Sequence, residues 1–127
     1  MKTQSINSKN APAANNGYSQ AILAEQGKRV LYISGQIPVH PDGTTPQNFI
    51  DQAEQAWANI EAQLNEVGMG LSNIVKHTTF LADRRYTAQN SEVRRQIFGK
   101  LEPALTVIIA GIFDKAWLLE IEAVAMD

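Results

Sequence analysis

The last eleven residues, WLLEIEAVAMD (Trp117 to Asp127), restrict the fold more than any other part of the chain. Read with the period of two that a strand imposes, Trp117, Leu119, Ile121, Ala123 and Ala125 share one wholly apolar face. Leu118, Glu120, Glu122, Val124 and Met126 share the other. The apolar face has to be covered by other elements. The second face carries two carboxylates, and no Lys or Arg in the segment pairs them. It also carries Leu118, Val124 and Met126, too much apolar surface for plain exposure to water. Such a face predicts a partly buried surface with acids at its margin, as at a subunit boundary.

The rest of the chain supplies the covering elements. Phe49, Ala53, Ala56, Trp57, Ile60, Leu64 and Val67 recur at steps of three and four, the spacing of a helix with one buried stripe, and Gly68 and Gly70 stop it. A second helix is predicted over about Thr87 to Phe98, with Asn90, Val93, Arg94, Ile97 and Phe98 along one side and Gly99 and Pro103 at its end. KTQSIN reads as an edge strand, and SQAILAEQ and GKRVLYISGQI as two strands turning near Gly27-Lys28. NIVKHTTFLA and ALTVIIAGI complete the set of strands. SKNAPAANNGYSQ and PVHPDGTTPQN carry turn chemistry. The order is β, β, β, α, β, α, β, β. Crossovers through helices suit parallel neighbours, and short turns suit hairpins. A mixed sheet with two helices on one face meets both demands. Its other face is left open, to become polar or to be buried in an oligomer.

Composition narrows the function. At 127 residues the chain is expected to form a single domain over 1–127. The net charge of −2 offers no basic field for nucleic acid or an anionic membrane. Cysteine is absent, which excludes disulfides, thiolate metal sites and cysteine nucleophiles and fits the cytoplasm. No apolar run resembles a signal peptide or approaches a membrane span. His40 and His77 lack any ligand spacing, so no metal site and no cofactor is expected. His40, in a Pro-Asp-Gly turn, is expected in solvent, and His77, mid-strand, as a hydrogen-bonded filler. Ser34-Gly35 lacks the flanking pattern of a nucleophile elbow, and Gly68-Met69-Gly70-Leu71 lacks the lysine of a phosphate loop.

NAPAANNGYSQAI, LYISGQIP, GLSNIVKHTTFLAD and LLEIEAVA, in this order and over nearly the whole chain, resemble the signatures of the YjgF-like reactive intermediate deaminases, the RidA family. The resemblance implies a chorismate-mutase-like α+β fold and a homotrimer whose sheets face inward into a barrel-like core, with small-molecule clefts between subunits. It implies hydrolysis of enamines or imines, such as 2-aminoacrylate, to a 2-oxo acid and ammonia. By motif, the tyrosine that closes the N-terminal loop is Tyr18, the pocket strand contributes Ser34 and Gly35, and Asn90 matches an asparagine at the start of the second helix. The water-positioning glutamate falls on Glu122. Glu120, on the same face, could share a ligand or proton with it, though an interface hydrogen bond is the simpler reading. Tyr18 could equally be a packing anchor.

One position departs from the family. Its arginine belongs in P-A-R-[ST], and here the residues are Pro103-Ala104-Leu105-Thr106. Leu105 and Thr106 therefore line the expected substrate site without a cation. A guanidinium holds a carboxylate through two charge-assisted bonds, each worth roughly 1.5–3 kcal/mol. Losing both costs about 10² to 10⁴-fold in affinity. The ligand is accordingly expected to be neutral or cationic, or otherwise atypical. Arg84, Arg85, Arg94 and Arg95 are the candidates to replace the cation, with Arg94 one turn after Asn90 and Arg85 in a loop of less constrained reach; the simpler reading is solvated charge or a subunit salt bridge. Two functions stay open: an enamine or imine deaminase, or a non-catalytic binding or regulatory trimer. A cleft made electropositive by Arg85 or Arg94 favours the enzyme, and a cleft closed by Leu105 and Tyr18 favours the second.

Overall fold

In a computed structural model, which describes residues 1–15 and 17–127, the expected elements form in the expected order. They are β1 (Lys2–Ile6), β2 (Ala21–Glu25), β3 (Val30–Gln36), α1 (Phe49–Glu66), β4 (Ile74–Leu81), α2 (Thr87–Phe98), β5 (Ala104–Ile109) and β6 (Leu119–Met126). Asn16, within the NAPAANNGYSQAI motif, lies outside the described residues. The fold is α+β, a mixed sheet with two helices packed on it. Among the described residues, no helix is long and apolar enough to cross a membrane.

The main sheet has the order β3-β6-β4-β5. β6 runs antiparallel to both neighbours, and β5 lies parallel to β4 through the α2 crossover. The predicted hairpins do not form within this sheet. β2 pairs antiparallel with β1 in a separate two-stranded sheet, and β6 inserts between β3 and β4 instead of folding back on β5. The central place of β6 follows from its apolar face. Leu119, Ile121, Ala123 and Ala125 are all buried, and a strand in the middle of a sheet covers such a row best. Glu120, Val124 and Met126 on the other face are half-buried, while Glu122 is exposed.

Helix α1 covers the β3–β6 side. Its stripe of Phe49, Ala53, Ala56, Trp57, Ile60 and Leu64 is buried. The Asn48 side chain caps it by accepting from the Asp51 N–H at 2.9 Å. It ends in a Schellman turn: Gly68 takes φ +74°, its N–H donates to Asn65, and the Met69 N–H donates to Leu64 at 2.9 Å. Buried Met69 follows buried Leu64 there, which adds the apolar contact typical of the motif.

Candidate functional site

Tyr18 is positioned by the residue after it. Ser19 is buried; its hydroxyl donates to the Glu102 carbonyl at 2.6 Å, and its N–H donates to the Pro103 carbonyl at 3.2 Å. A bridge between Ser19 and Ala104 extends the contact along β5. The loop that carries Tyr18 is thereby tied to the start of the strand that carries Leu105. Sequence reading put Ser19 where the turn segment SKNAPAANNGYSQ runs into the strand SQAILAEQ, and nothing in its neighbours marks it as a strut.

Tyr18 faces a cleft of about 310 Å³ between β5 and α2. Leu105 and Val107 line it from β5. Thr87, Asn90, Ser91 and Arg94 line it from α2. These four fall at helical steps of three, four and seven, on one face of the helix. Asn90 and Arg94 are 3% and 4% exposed, whereas Thr87 is exposed and Ser91 half-buried, so two polar residues of this stripe are buried where a helix of this kind usually presents apolar ones. Arg94 is therefore not solvated charge: it is buried and borders the cleft. Burial pushes its guanidinium below the usual value, Arg95 pushes in the same direction, and Tyr18 offsets part of this. An arginine stays charged under such a load. Arg85 is different. It is exposed, pairs with Asp83 at 3.6 Å and lies over the Tyr86 ring at 5.4 Å, outside the cleft.

Behind the cleft sits His77, opposite Leu105 in register. Its ring stacks on Phe98 and meets Trp57 edge-on. Neither ring nitrogen finds a hydrogen-bond partner among the described residues, so the expected hydrogen-bonded filler is instead an aromatic one. Burial, with Arg94 as a lesser cause, lowers its pKa to about 3, and it is neutral at physiological pH. His40 is half-buried rather than fully in solvent; its backbone N–H donates to Thr44.

The remaining expected residues lie elsewhere on the protomer. Glu122 stands opposite Thr78, which in turn stands opposite Thr106. This row is on the open face of the sheet, whereas Leu105 points to the helix side. Ser34 and Gly35 are on β3, the far edge. β3 and β5 are three strand steps apart, or about 14 Å at ~4.8 Å per step. Glu120 accompanies β3: a Cβ placed on Gly35 would stand 2.7 Å from Glu120 Cδ, so only glycine leaves room for that carboxylate. The chain thus brings Tyr18, Asn90 and Leu105 together, and keeps Ser34, Gly35 and both glutamates apart from them. A second space of about 450 Å³ between β2 and the sheet shares Leu105 with the cleft and adds Lys76, Thr106 and Val124.

A family model described as Endoribonuclease L-PSP matches residues 8–127. The chain belongs to this family, which is the YjgF-like or RidA family. A RutC family protein of Pyrococcus horikoshii is 38% identical over 122 residues, covering 94% of each chain. A 2-iminobutanoate/2-iminopropanoate deaminase of Capra hircus is 35% identical over 124 residues, covering 96% of this chain and 88% of that one. Among solved structures, a Rid family protein of unknown function from Yersinia pestis superposes over the full length of both chains with a TM-score of 0.86 at 24% identity, a likeness of fold.

Proposed function

We propose that this RidA-family chain forms a homotrimer, binds a small metabolite in clefts between subunits, and hydrolyses an enamine or imine that is atypical for the lack of a strand-borne arginine. The observation that carries the reading is the division of the site. The Tyr18–Asn90–Leu105 cleft opens beside β5, and the Ser34–Gly35 strand with its carboxylate lies at β3, the opposite edge. Two neighbouring copies that bring the β5 edge of one to the β3 edge of the next complete a site that one copy cannot.

In the reaction water adds to the C=N carbon, a carboxylate accepts the water's proton, the nitrogen takes up a proton and leaves as ammonia, and a carbonyl product remains. Two acids are available, Glu122 and Glu120. We give the water to Glu120, because its carboxylate lies over Gly35, and leave Glu122 as the second acid on the same face. The cleft is open and bordered by a buried cation, which supports the enzyme over a closed binding module. The competing reading, a non-catalytic trimer, needs a cleft closed by Leu105 and Tyr18.

Ammonia release from neutral and anionic imines tests both. Turnover that falls at least tenfold in Glu120→Gln and less in Glu122→Gln is the expected result. The reverse order would return the role to Glu122. Wild-type protein that releases no ammonia from any imine, while still binding small ligands, would favour the non-catalytic trimer. Leu105→Arg is expected to raise turnover of 2-aminoacrylate, and equal turnover by both forms would remove Leu105 from the account.

A further inference from the structure

We propose that Arg94, on helix α2, is the anchor for a carboxylate group of the ligand, so that the anion is held from the helix side of the cleft and not from β5. This deepens the reading above by assigning a ligand class to the same site. Three observations carry it. Arg94 borders the same cleft as Leu105 and Tyr18, so its positive charge lies where a ligand in that cleft would meet it. Second, it is buried together with Asn90 on one polar stripe of α2, although Val93 and Phe98 on the same helix already supply the core contacts. A long cationic side chain kept at such a depth loses much of its hydration, which makes a carboxylate arriving in the cleft a stronger partner than it would be at the surface. Third, the groups around it complement a carboxylate that carries a short aliphatic body. The Tyr18 hydroxyl and the Asn90 amide can donate to its oxygens, and Leu105 and Val107 form an apolar wall for the carbon chain.

Leu105 then has a positive role. A leucine on β5 leaves the anion no partner on the strand, and it gives the carbon skeleton a surface to lie against. The carboxylate is displaced toward α2, and the ligand is turned or lengthened relative to one held by an arginine at position 105. An apolar residue facing a cation across a small cleft selects ligands with one charged end and one apolar end.

The test is binding of 2-oxobutanoate, with 2-oxobutanamide as its neutral counterpart, to the full-length protein in its native assembly, followed by calorimetry and by amide shifts of residues around Asn90. Wild-type protein is expected to prefer the carboxylate at least tenfold. Arg94→Gln should abolish that preference, and Arg94→Lys, which keeps the charge but loses the planar fork, should retain part of it. Adding Leu105→Arg to Arg94→Gln should restore carboxylate binding from the opposite wall. Arg85→Ala, outside the cleft, should leave both affinities unchanged. If Arg94→Gln melts below the assay temperature, the Arg94→Lys and Leu105→Arg comparisons decide. Equal carboxylate affinity in wild type and a folded Arg94→Gln, or no preference for the carboxylate in wild type, would overturn the assignment. The readout is binding alone: ammonia release without an Arg94 effect defeats this inference and leaves the hydrolase standing, and an Arg94 effect without ammonia release does the opposite.

Discussion

At the scale of the residue, His77 shows how a group with no catalytic part can govern behaviour in solution. Its folded pKa of about 3 lies below the ordinary value of 6.5 because the ring is buried against Phe98 and Trp57. The unfolded chain therefore binds a proton there at a pH where the folded chain does not. Stability is at its full value above pH 6.5 and is lost as pH falls toward 3. At about 1.4 kcal/mol per unit, the loss between pH 6.5 and pH 4 is roughly 3 kcal/mol. Denaturant unfolding of wild type and His77→Leu at both pH values checks this: the variant should lose less stability than wild type by about that amount, and parallel losses would contradict it. Gly35 is a second case. Gly35→Ala forces the Glu120 carboxylate to move, and because that group ends a flexible side chain the fold should tolerate it. Thermal melting is expected to change by less than about 1 kcal/mol equivalent while ammonia release falls about tenfold or more. A variant with normal turnover would separate Glu120 from the water.

At the scale of the element, the sequence was legible where one periodicity dominates. The α1 stripe and the alternation in β6 each demand a single buried face, and both fold as read. Strand pairing was not legible, because periodicity fixes which face is covered but not which strand lies alongside. β2 and β3 therefore looked like a hairpin although their partners are β1 and β6. The site was legible to a similar degree. Motif positions placed Tyr18, Asn90 and Leu105, which do meet, but the burial of Arg94 could not be separated from ordinary surface charge, since a cation on the inner side of a short helix has no signature of its own. Gln52 was missed for the same reason. It sits in the apolar stripe of α1, fully buried, and donates to the Pro46 and Ala116 carbonyls at 2.8 and 2.9 Å while accepting from the Leu118 N–H at 2.8 Å. It fastens the loops before α1 and before β6 to the helix. Gln52→Leu strands a backbone N–H and two carbonyls and should cost about 3 kcal/mol in denaturant unfolding, more than an exposed Gln on the same helix such as Gln63.

At the scale of the whole molecule, the open face of the sheet determines what the protein has to do next. Val30 and Tyr32 on β3 and Ile108 on β5 are 45%, 78% and 45% exposed; Val30 and Tyr32 adjoin Val124 and Met126, Ile108 adjoins Phe80, and the polar row Thr78–Glu122–Thr106 parts the two patches. Exposed apolar patches on a chain of modest net charge call for a partner. In the proposed trimer a second copy answers the need and also joins the two halves of the proposed site, so assembly and activity should fail together. Sedimentation of the wild type is expected to give about 42 kDa, three times the 14.0 kDa chain. Tyr32→Glu places a charge on the β3 edge of the proposed interface, where it would be desolvated without a partner. It should shift the protein to monomers, leave the far-ultraviolet circular dichroism unchanged because the Tyr32 side chain is exposed and its pairing with β6 is made by the backbone, and abolish 2-oxobutanoate binding and ammonia release alike, although it alters no cleft residue. A folded monomer that still binds would show that one protomer suffices, and the β3 edge would then have no part in the site.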